Sequence, residues 1–189
     1  MISTGDLKRG IVVEMDGHLL QIVDWDHIKV GRGSAQVRLK FRDLRLGHVT
    51  EQTFQAGSKF QRVRTDQKKM QYLYPEGELY YFMDVETFDQ TPLDKGIVED
   101  ALPFLVENAE VEVLFVGDEA IGIDLGAAVT LRVTDSDPGI KGDTATGATK
   151  PATLETGHTV NVPLFISIGD LLKIDTRTGD YLERAEAAS

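Results

Sequence analysis

Lys29-Val30-Gly31-Arg32-Gly33-Ser34-Ala35-Gln36-Val37-Arg38-Leu39-Lys40-Phe41-Arg42 is the stretch that decides the fold. Its second half alternates strictly. Val37, Leu39 and Phe41 fall on one face of an extended chain, and Arg38, Lys40 and Arg42 fall on the other, a period of two that specifies a half-buried strand. Its first half sets two glycines around one long cation. Glycine accepts positive φ without strain, so Gly31 and Gly33 suit a tight hairpin tip that holds Arg32 at the apex. An extended segment, Leu19 to Ile28, leads into it. Residues 29–45 carry Lys29, Arg32, Arg38, Lys40, Arg42 and Arg45 against the single acid Asp43. Guanidinium groups grip phosphate bidentately and supply the salt-dependent part of nucleic-acid affinity. The same residues would also serve a solvated hairpin with ordinary surface cations.

Outward from this hairpin the pattern repeats. Thr130-Leu131-Arg132-Val133 and His158-Thr159-Val160-Asn161-Val162 alternate in the same way. Asp16-Gly17, Leu46-Gly47-His48, Pro75-Glu76-Gly77, Gly117-Asp118 and Gly179-Asp180 read as turns between short apolar segments. Helical pattern is confined to about Asp94 to Leu102, where Ile97, Val98, Ala101 and Leu102 share a face and Pro103 ends the run. Short strands with regular turn signals predict an all-β chain of small barrels. The charge steps predict three units at 1–64, 65–128 and 129–189, with net charges of +4, −12 and −3 that sum to −11. Barrels of about sixty residues are marginal alone, so packing between neighbours is expected to support them. The Ala-rich end, Ala185 to Ser189, is expected to fray.

Composition excludes several classes. The 189 residues contain no cysteine, which removes disulfides, thiolate metal sites and cysteine nucleophiles. The longest apolar run is Leu79 to Met83, far short of the roughly 20 residues of a membrane helix. The first residues lack a basic region followed by an apolar stretch, so a cytoplasmic protein without membrane attachment is expected.

Catalytic constellations are missing. Gly31-x-Gly33 lacks the third glycine and the helix of a dinucleotide fingerprint. In Gly142-x-x-x-x-Gly147-Ala148-Thr149-Lys150 the lysine is displaced and Pro151 replaces the helix that would face phosphate. His18, His27, His48 and His158 show no metal-ligand spacing and are expected at strand edges or on the surface. Glu76, Glu78, Asp84, Glu86 and Asp89 could imitate a carboxylate pair, but scattered over turns they read as a solvated surface. Tyr72, Tyr74, Tyr80 and Tyr81 could stack bases; set among acids, they are expected in the core and at domain interfaces.

Beyond these readings, one third of the chain is no longer generic. Lys150-Pro151-Ala152-Thr153-Leu154-Glu155-Thr156-Gly157, running on through Val160, Val162-Pro163, Leu164 and Ile168 to Gly169-Asp170, resembles the signature of the bacterial translation elongation factor P family. Lys173 to Tyr181, Tyr72-Leu73-Tyr74-Pro75-Glu76-Gly77, Phe82-Met83-Asp84 and Asp137-Pro138-Gly139-Ile140-Lys141-Gly142-Asp143-Thr144 are similar to the family as well. The resemblance implies a KOW-like N-terminal barrel and two OB-folds in an elongated, tRNA-like arrangement, monomeric, without metal, cofactor or enzymatic activity. It implies that the 70S ribosome is the partner, with peptidyl-tRNA in the P site, prolyl-tRNA above all, and that the task is to relieve stalling at consecutive prolines from a seat between the P and E sites. Arg32 would meet the tRNA CCA end at a tip made with Lys29, Gly31, Gly33 and Ser34. It would be either bare or rhamnosylated by a modifying enzyme. Lys29, Arg38, Lys40 and Arg42 would contact RNA phosphates, Gly142, Asp143 and Thr144 would lie in the loop that reads the tRNA D-arm, and Tyr181 and Arg184 would face the ribosome. The alternatives are an elongation factor P-like paralogue, or a general single-stranded RNA-binding OB-fold protein.

Overall fold

A computed structural model describes residues 1–28, 35–138 and 147–188. Three antiparallel sheets account for most of them. The first contains β1 (Ile2–Ser3), β2 (Val12–Met15), β3 (His18–Ile28), β4 (Gln36–Asp43), β5 (Val49–Gln55) and β6 (Lys59–Val63), in the order β1-β6-β2-β3-β4-β5. The second contains β7 (Asp66–Glu76), β8 (Leu79–Asp84), β9 (Gln90–Asp94), β10 (Glu110–Val116) and β11 (Glu119–Asp124), ordered β11-β10-β7-β8-β9. The third contains β12 (Ala128–Ser136), β13 (Thr149–Leu154), β14 (Thr159–Pro163), β15 (Leu171–Asp175) and β16 (Tyr181–Glu186), ordered β14-β13-β12-β15-β16. The chain packs as two compact units, one of Met1–Lys68, Leu93–Ile97 and Val113–Gly122, the other of Lys69–Pro92, Val98–Glu112 and Ile123–Ser189. The all-β reading holds.

In the first unit the alternation of β4 does what its sequence dictates: Val37, Leu39 and Phe41 are buried and Arg38 and Lys40 are exposed. Phe41, Phe54 and Phe60 meet edge to face, with ring centroids 4.9 to 6.5 Å apart, the geometry aromatic quadrupoles prefer. Consecutive Val12 and Val13 are both buried, so β2 is covered on both faces. Val13 joins the Leu20, Ile22 and Leu39 cluster, and Val12 joins Leu19 and Ile121. Asp16-Gly17 turns β2 into β3 with both residues at positive φ, 53° and 81°, the two-residue connection that matches strand twist. Asp43, buried at the end of β4, accepts the N–H groups of Arg45 and Leu46 at 2.9 Å each and contacts His18 Nδ1 at 2.7 Å.

In the second unit Leu131, Val133, Leu154, Val162, Leu172 and Ile174 fill the third sheet's interior, joined by Phe104. The helix expected over Asp94 to Leu102 is shorter. One turn, α1 (Lys95–Val98), is followed by a 3-10 turn over Leu102–Phe104. Val98 and Ala101 are buried as the shared face required, but Pro103 has no N–H to continue α-helical bonding. Over the described part of the expected frayed end, Ala185 to Ala188, the chain is instead held. β16 runs to Glu186, and Ala188 N–H donates to Asp170 Oδ1 at 2.6 Å. Asp170, 2% exposed, also accepts Ser167 N–H at 2.9 Å, so one buried carboxylate ties the tail to the turn before β15.

Burial pushes the carboxyls of Asp43 and Asp170 up, but the backbone N–H donors, together with His18 beside Asp43 and Arg184 beside Asp170, outweigh it and hold both below the ordinary 3.8. Depressed in the folded state, they contribute stability above the unfolded value and lose it as pH falls through the folded one. Thermal stability should therefore drop as pH falls below about 4. Asp170→Asn, which keeps the shape but loses the charge, should lower stability by about 1–3 kcal/mol in urea unfolding at neutral pH. It should also flatten the acid drop. An Asn variant as stable as wild type would refute the role given to this carboxylate.

Candidate nucleic-acid interface

β3 and β4 form the longest paired arm of the first sheet, and the residues joining them carry the predicted tip. Lys29, Gly31, Arg32, Gly33 and Ser34 lie outside the described residues, as do Gly142, Asp143 and Thr144. The cations on β4 can be placed. Arg38 and Lys40 stand on its exposed face and Arg42 is half-buried.

Their neighbours change the electrostatics. Across β3, Asp26 pairs with Arg38 and Asp24 with Lys40, and across β5, Glu51 pairs with Lys40. Directly opposite residues share a face with Cβ atoms about 5 Å apart. The outward face is therefore a ladder of alternating sign, not a basic stripe. Arg9 adds to it from outside the arm, donating to Asp24 Oδ1 at 2.7 Å. That bond, with the Trp25 N–H and the nearby Lys40, holds the Asp24 carboxyl below its ordinary value. Asp24, Asp26, Glu51 and Arg9 are the residues missed by reading the arm one strand at a time.

The other expected positions separate. Lys150, in the rejected phosphate-loop pattern, is buried and donates from Nζ to the Asp137 carbonyl at 2.7 Å. Tyr181 is half-buried against the third sheet's core. Arg184 lies 3.7 Å from Asp170 and over the Phe165 ring at 5.1 Å, while Phe165 itself is exposed. Tyr72 is core, packed on Phe82 with centroids 5.2 Å apart. Tyr74 departs from expectation: it is exposed and stacked on Tyr81 at 5.1 Å. His27 and His48 are exposed, whereas His158 is half-buried, its Nε2 3.0 Å from the Gly179 carbonyl. A Cβ at Gly179 would meet that ring at 3.1 Å, and its φ of +78° independently requires glycine. Glu76, Glu78, Glu86 and Asp89 are exposed, and Asp84 accepts the N–H groups of Glu86 and Thr87. Among the described residues no three His, Asp or Glu side chains gather as a metal site. Among the same residues no helix is long and apolar enough to cross a membrane.

Residues 3–60 match the family model of the elongation factor P (EF-P) KOW-like domain, 65–123 that of the elongation factor P (EF-P) OB domain, and 129–184 that of elongation factor P, C-terminal. The chain is 51% identical over 185 residues to elongation factor P of Moorella thermoacetica, covering 98% of this chain and 100% of the relative. It is 50% identical over 184 residues to elongation factor P of Carboxydothermus hydrogenoformans, covering 97% and 100%. Among solved structures, eukaryotic translation initiation factor 5A from Methanococcus jannaschii aligns with a TM-score of 0.45 at 27% identity, covering 66% of this chain and 95% of that one.

The charge ladder makes a prediction about RNA. Asp24→Asn with Asp26→Asn should raise affinity for a labelled single-stranded RNA between 50 and 200 mM salt and steepen the slope of log K against log salt by about 1. The pair is best made on Arg9→Ala, so that a released Arg9 does not supply the effect. Unchanged affinity and slope would mean that Arg38 and Lys40 do not reach phosphate.

Proposed function

Since the chain belongs to the elongation factor P family, and is thus a translation elongation factor, we propose that it binds the 70S ribosome beside peptidyl-tRNA, between the P and E sites, and speeds peptide-bond formation at consecutive prolines. The observation that carries this reading is the ordered match of three family models along one chain, with relatives of the same name aligned over their whole length. On this reading the divisions are 1–64, 65–128 and 129–189, and the factor works as a cytoplasmic monomer without a cofactor.

The chemistry assigned to it is placement. Proline is a poor nucleophile whose ring disfavours the reactive backbone arrangement. Ordering the CCA end of peptidyl-tRNA converts a search into a near-attack geometry, a gain that needs no donated proton or nucleophile. Arg32 is the residue proposed to touch that end, offered by Gly31 and Gly33, with Lys29 beside it. Rhamnosylation by a partner enzyme would lengthen its reach. Arg38, Lys40 and Arg42 are secondary phosphate contacts, weakened at Arg38 and Lys40 by the acids opposite. Gly142, Asp143 and Thr144 are proposed for the tRNA D-arm. Arg184 is proposed to face the ribosome through the Phe165 stack more than as a free cation, with Tyr181 beside it. The acidic segment 65–128 would repel RNA outside the intended pose.

Reconstituted translation of a message encoding consecutive prolines tests this. Protein from its native source and unmodified recombinant protein should both shorten the stall, and Arg32→Ala should lose at least about tenfold of the stimulation. Stimulation by the native sample alone would assign the activity to a modified tip, visible as added mass on the tip peptide. Failure of both wild-type samples would overturn the reading in favour of an elongation factor P-like paralogue or a general single-stranded RNA-binding OB-fold protein.

A further inference from the structure

The pairing of β3 with β4 is interrupted at one place, and the interruption is made by one residue. Along β3 and β4 the pairing runs Leu20↔Asp43, Gln21↔Arg42, Ile22↔Phe41, and then Asp24↔Lys40 and Trp25↔Leu39. Val23 has no partner of its own. It is an extra residue on β3, a β-bulge, which bends the bulged strand and increases its local twist. The pairing of β4 with β5 shows no matching shift from Gln36 to Arg42, so the irregularity belongs to β3 alone. Burial agrees. Ile22 is 1% exposed, Val23 and Asp24 are consecutive exposed residues, and Trp25 returns to the core side.

Its position matters. Up to Ile22, β3 is held along both edges. β2 pairs with His18 to Gln21, and the Ile22 backbone exchanges bonds of 2.9 Å with Gly10 and Ile11. Beyond the bulge the strand continues to Ile28 beside β4, with Asp24 fastened by Arg9. The bulge therefore stands where the strand leaves the barrel. From there to Ile28 the arm extends about 15 Å, so each 10° of bend at Val23 moves its end by about 3 Å.

We propose that Val23 is a positioning residue: its bulge sets the direction in which β3 and β4 deliver residues 29–34 to their target. This rests on the function proposed above for Arg32. The arrangement offers an unusually clean test, because deleting Val23 leaves Ile22 opposite Phe41, Asp24 opposite Lys40 and Trp25 opposite Leu39. Every pair and every inward face survives, and only the bend is removed. Val23→Thr keeps the bulge and changes only its side chain.

Two readouts are needed. The chain has no cysteine, so His27→Cys with Lys59→Cys gives a single pair of spin labels between arm and barrel. Deletion of Val23 should shift their distance by about 3–6 Å, whereas Val23→Thr should leave it unchanged. In the consecutive-proline assay, the deletion should cut the maximal stimulation at saturating factor by at least about tenfold. The half-saturating concentration should stay within about twofold, because the phosphate-facing cations are kept. Val23→Thr should act as wild type. An unchanged distance overturns the proposal, as does full stimulation from a chain whose arm has moved. A deletion variant that fails to fold also overturns it, since the bulge would then serve the barrel itself. Should wild-type protein give no stimulation, the reading of Arg32 falls, and the distance alone decides whether Val23 directs the arm.

Discussion

The inward face of β4 constrains everything the first sheet can present to a partner. Val37, Leu39 and Phe41 must be dry, and a slip of one residue would turn all three to solvent and bring Arg38 and Lys40 inside. At roughly 25 cal/mol per Å² of apolar surface removed from water, that exchange is prohibitive. The core therefore decides which cations face out and, through the register, which acids face them. Asp24, Asp26 and Glu51 are opposite Lys40 and Arg38 because Leu20, Ile22 and Trp25 on one strand and Phe54 on the other must also meet the core. Charge on this arm is a consequence of packing before it is a feature of recognition.

A second device recurs across the sheets. Asp43, Asp84, Asp124, Asp170 and Asp175 each accept a backbone N–H from a residue two or three positions away. Asp170 does so across the turn that precedes it. Such bonds satisfy turn donors that no strand partner reaches, and a carboxylate does this more strongly than a neutral oxygen. Part of the surplus of 31 acids over 20 bases is therefore structural. In the acidic segment Asp84 and Asp124 are accounted for in this way, and on the proposed reading the remaining negative charge would repel phosphate outside the intended pose.

What could be read from the sequence followed from how local each determinant is. The period of two, Asp16-Gly17 and the all-β class depend on neighbours along the chain, and the structure has them. The helix over Asp94 to Leu102 shrank to one turn because Pro103 acts on bonding four residues back as well as ahead. The pinned tail was illegible, since Ala188 meets Asp170 only after β15 and β16 are paired. The neighbours of Arg184, expected to face the ribosome, were illegible for the same reason: its carboxylate and its ring come from another segment. The acids opposite Arg38 and Lys40 were in view, but pairing them correctly requires knowing that Val23 is skipped. Tyr74 escapes the core because the β7–β8 pairing skips Leu73 in the same manner. Arg32 was singled out by its two glycines and by resemblance, and it lies outside the described residues.

Taken together these points assign the arm a particular kind of work. A loop that held RNA by charge would keep its cations unopposed, yet here Lys40 faces carboxylates on both neighbouring strands, Asp24 and Glu51, and Arg38 faces Asp26 on one. Opposed charges give weak net attraction but strong dependence on exact placement, because a ligand must displace one sign to reach the other. On the proposed reading, attraction to the ribosome then comes from elsewhere on the molecule, and the arm contributes geometry. That division suits a factor whose gain is entropic. Binding energy collected at a distance would then hold the body still, and a hydrogen-bonded ladder of strands would carry one residue to the place where order is needed.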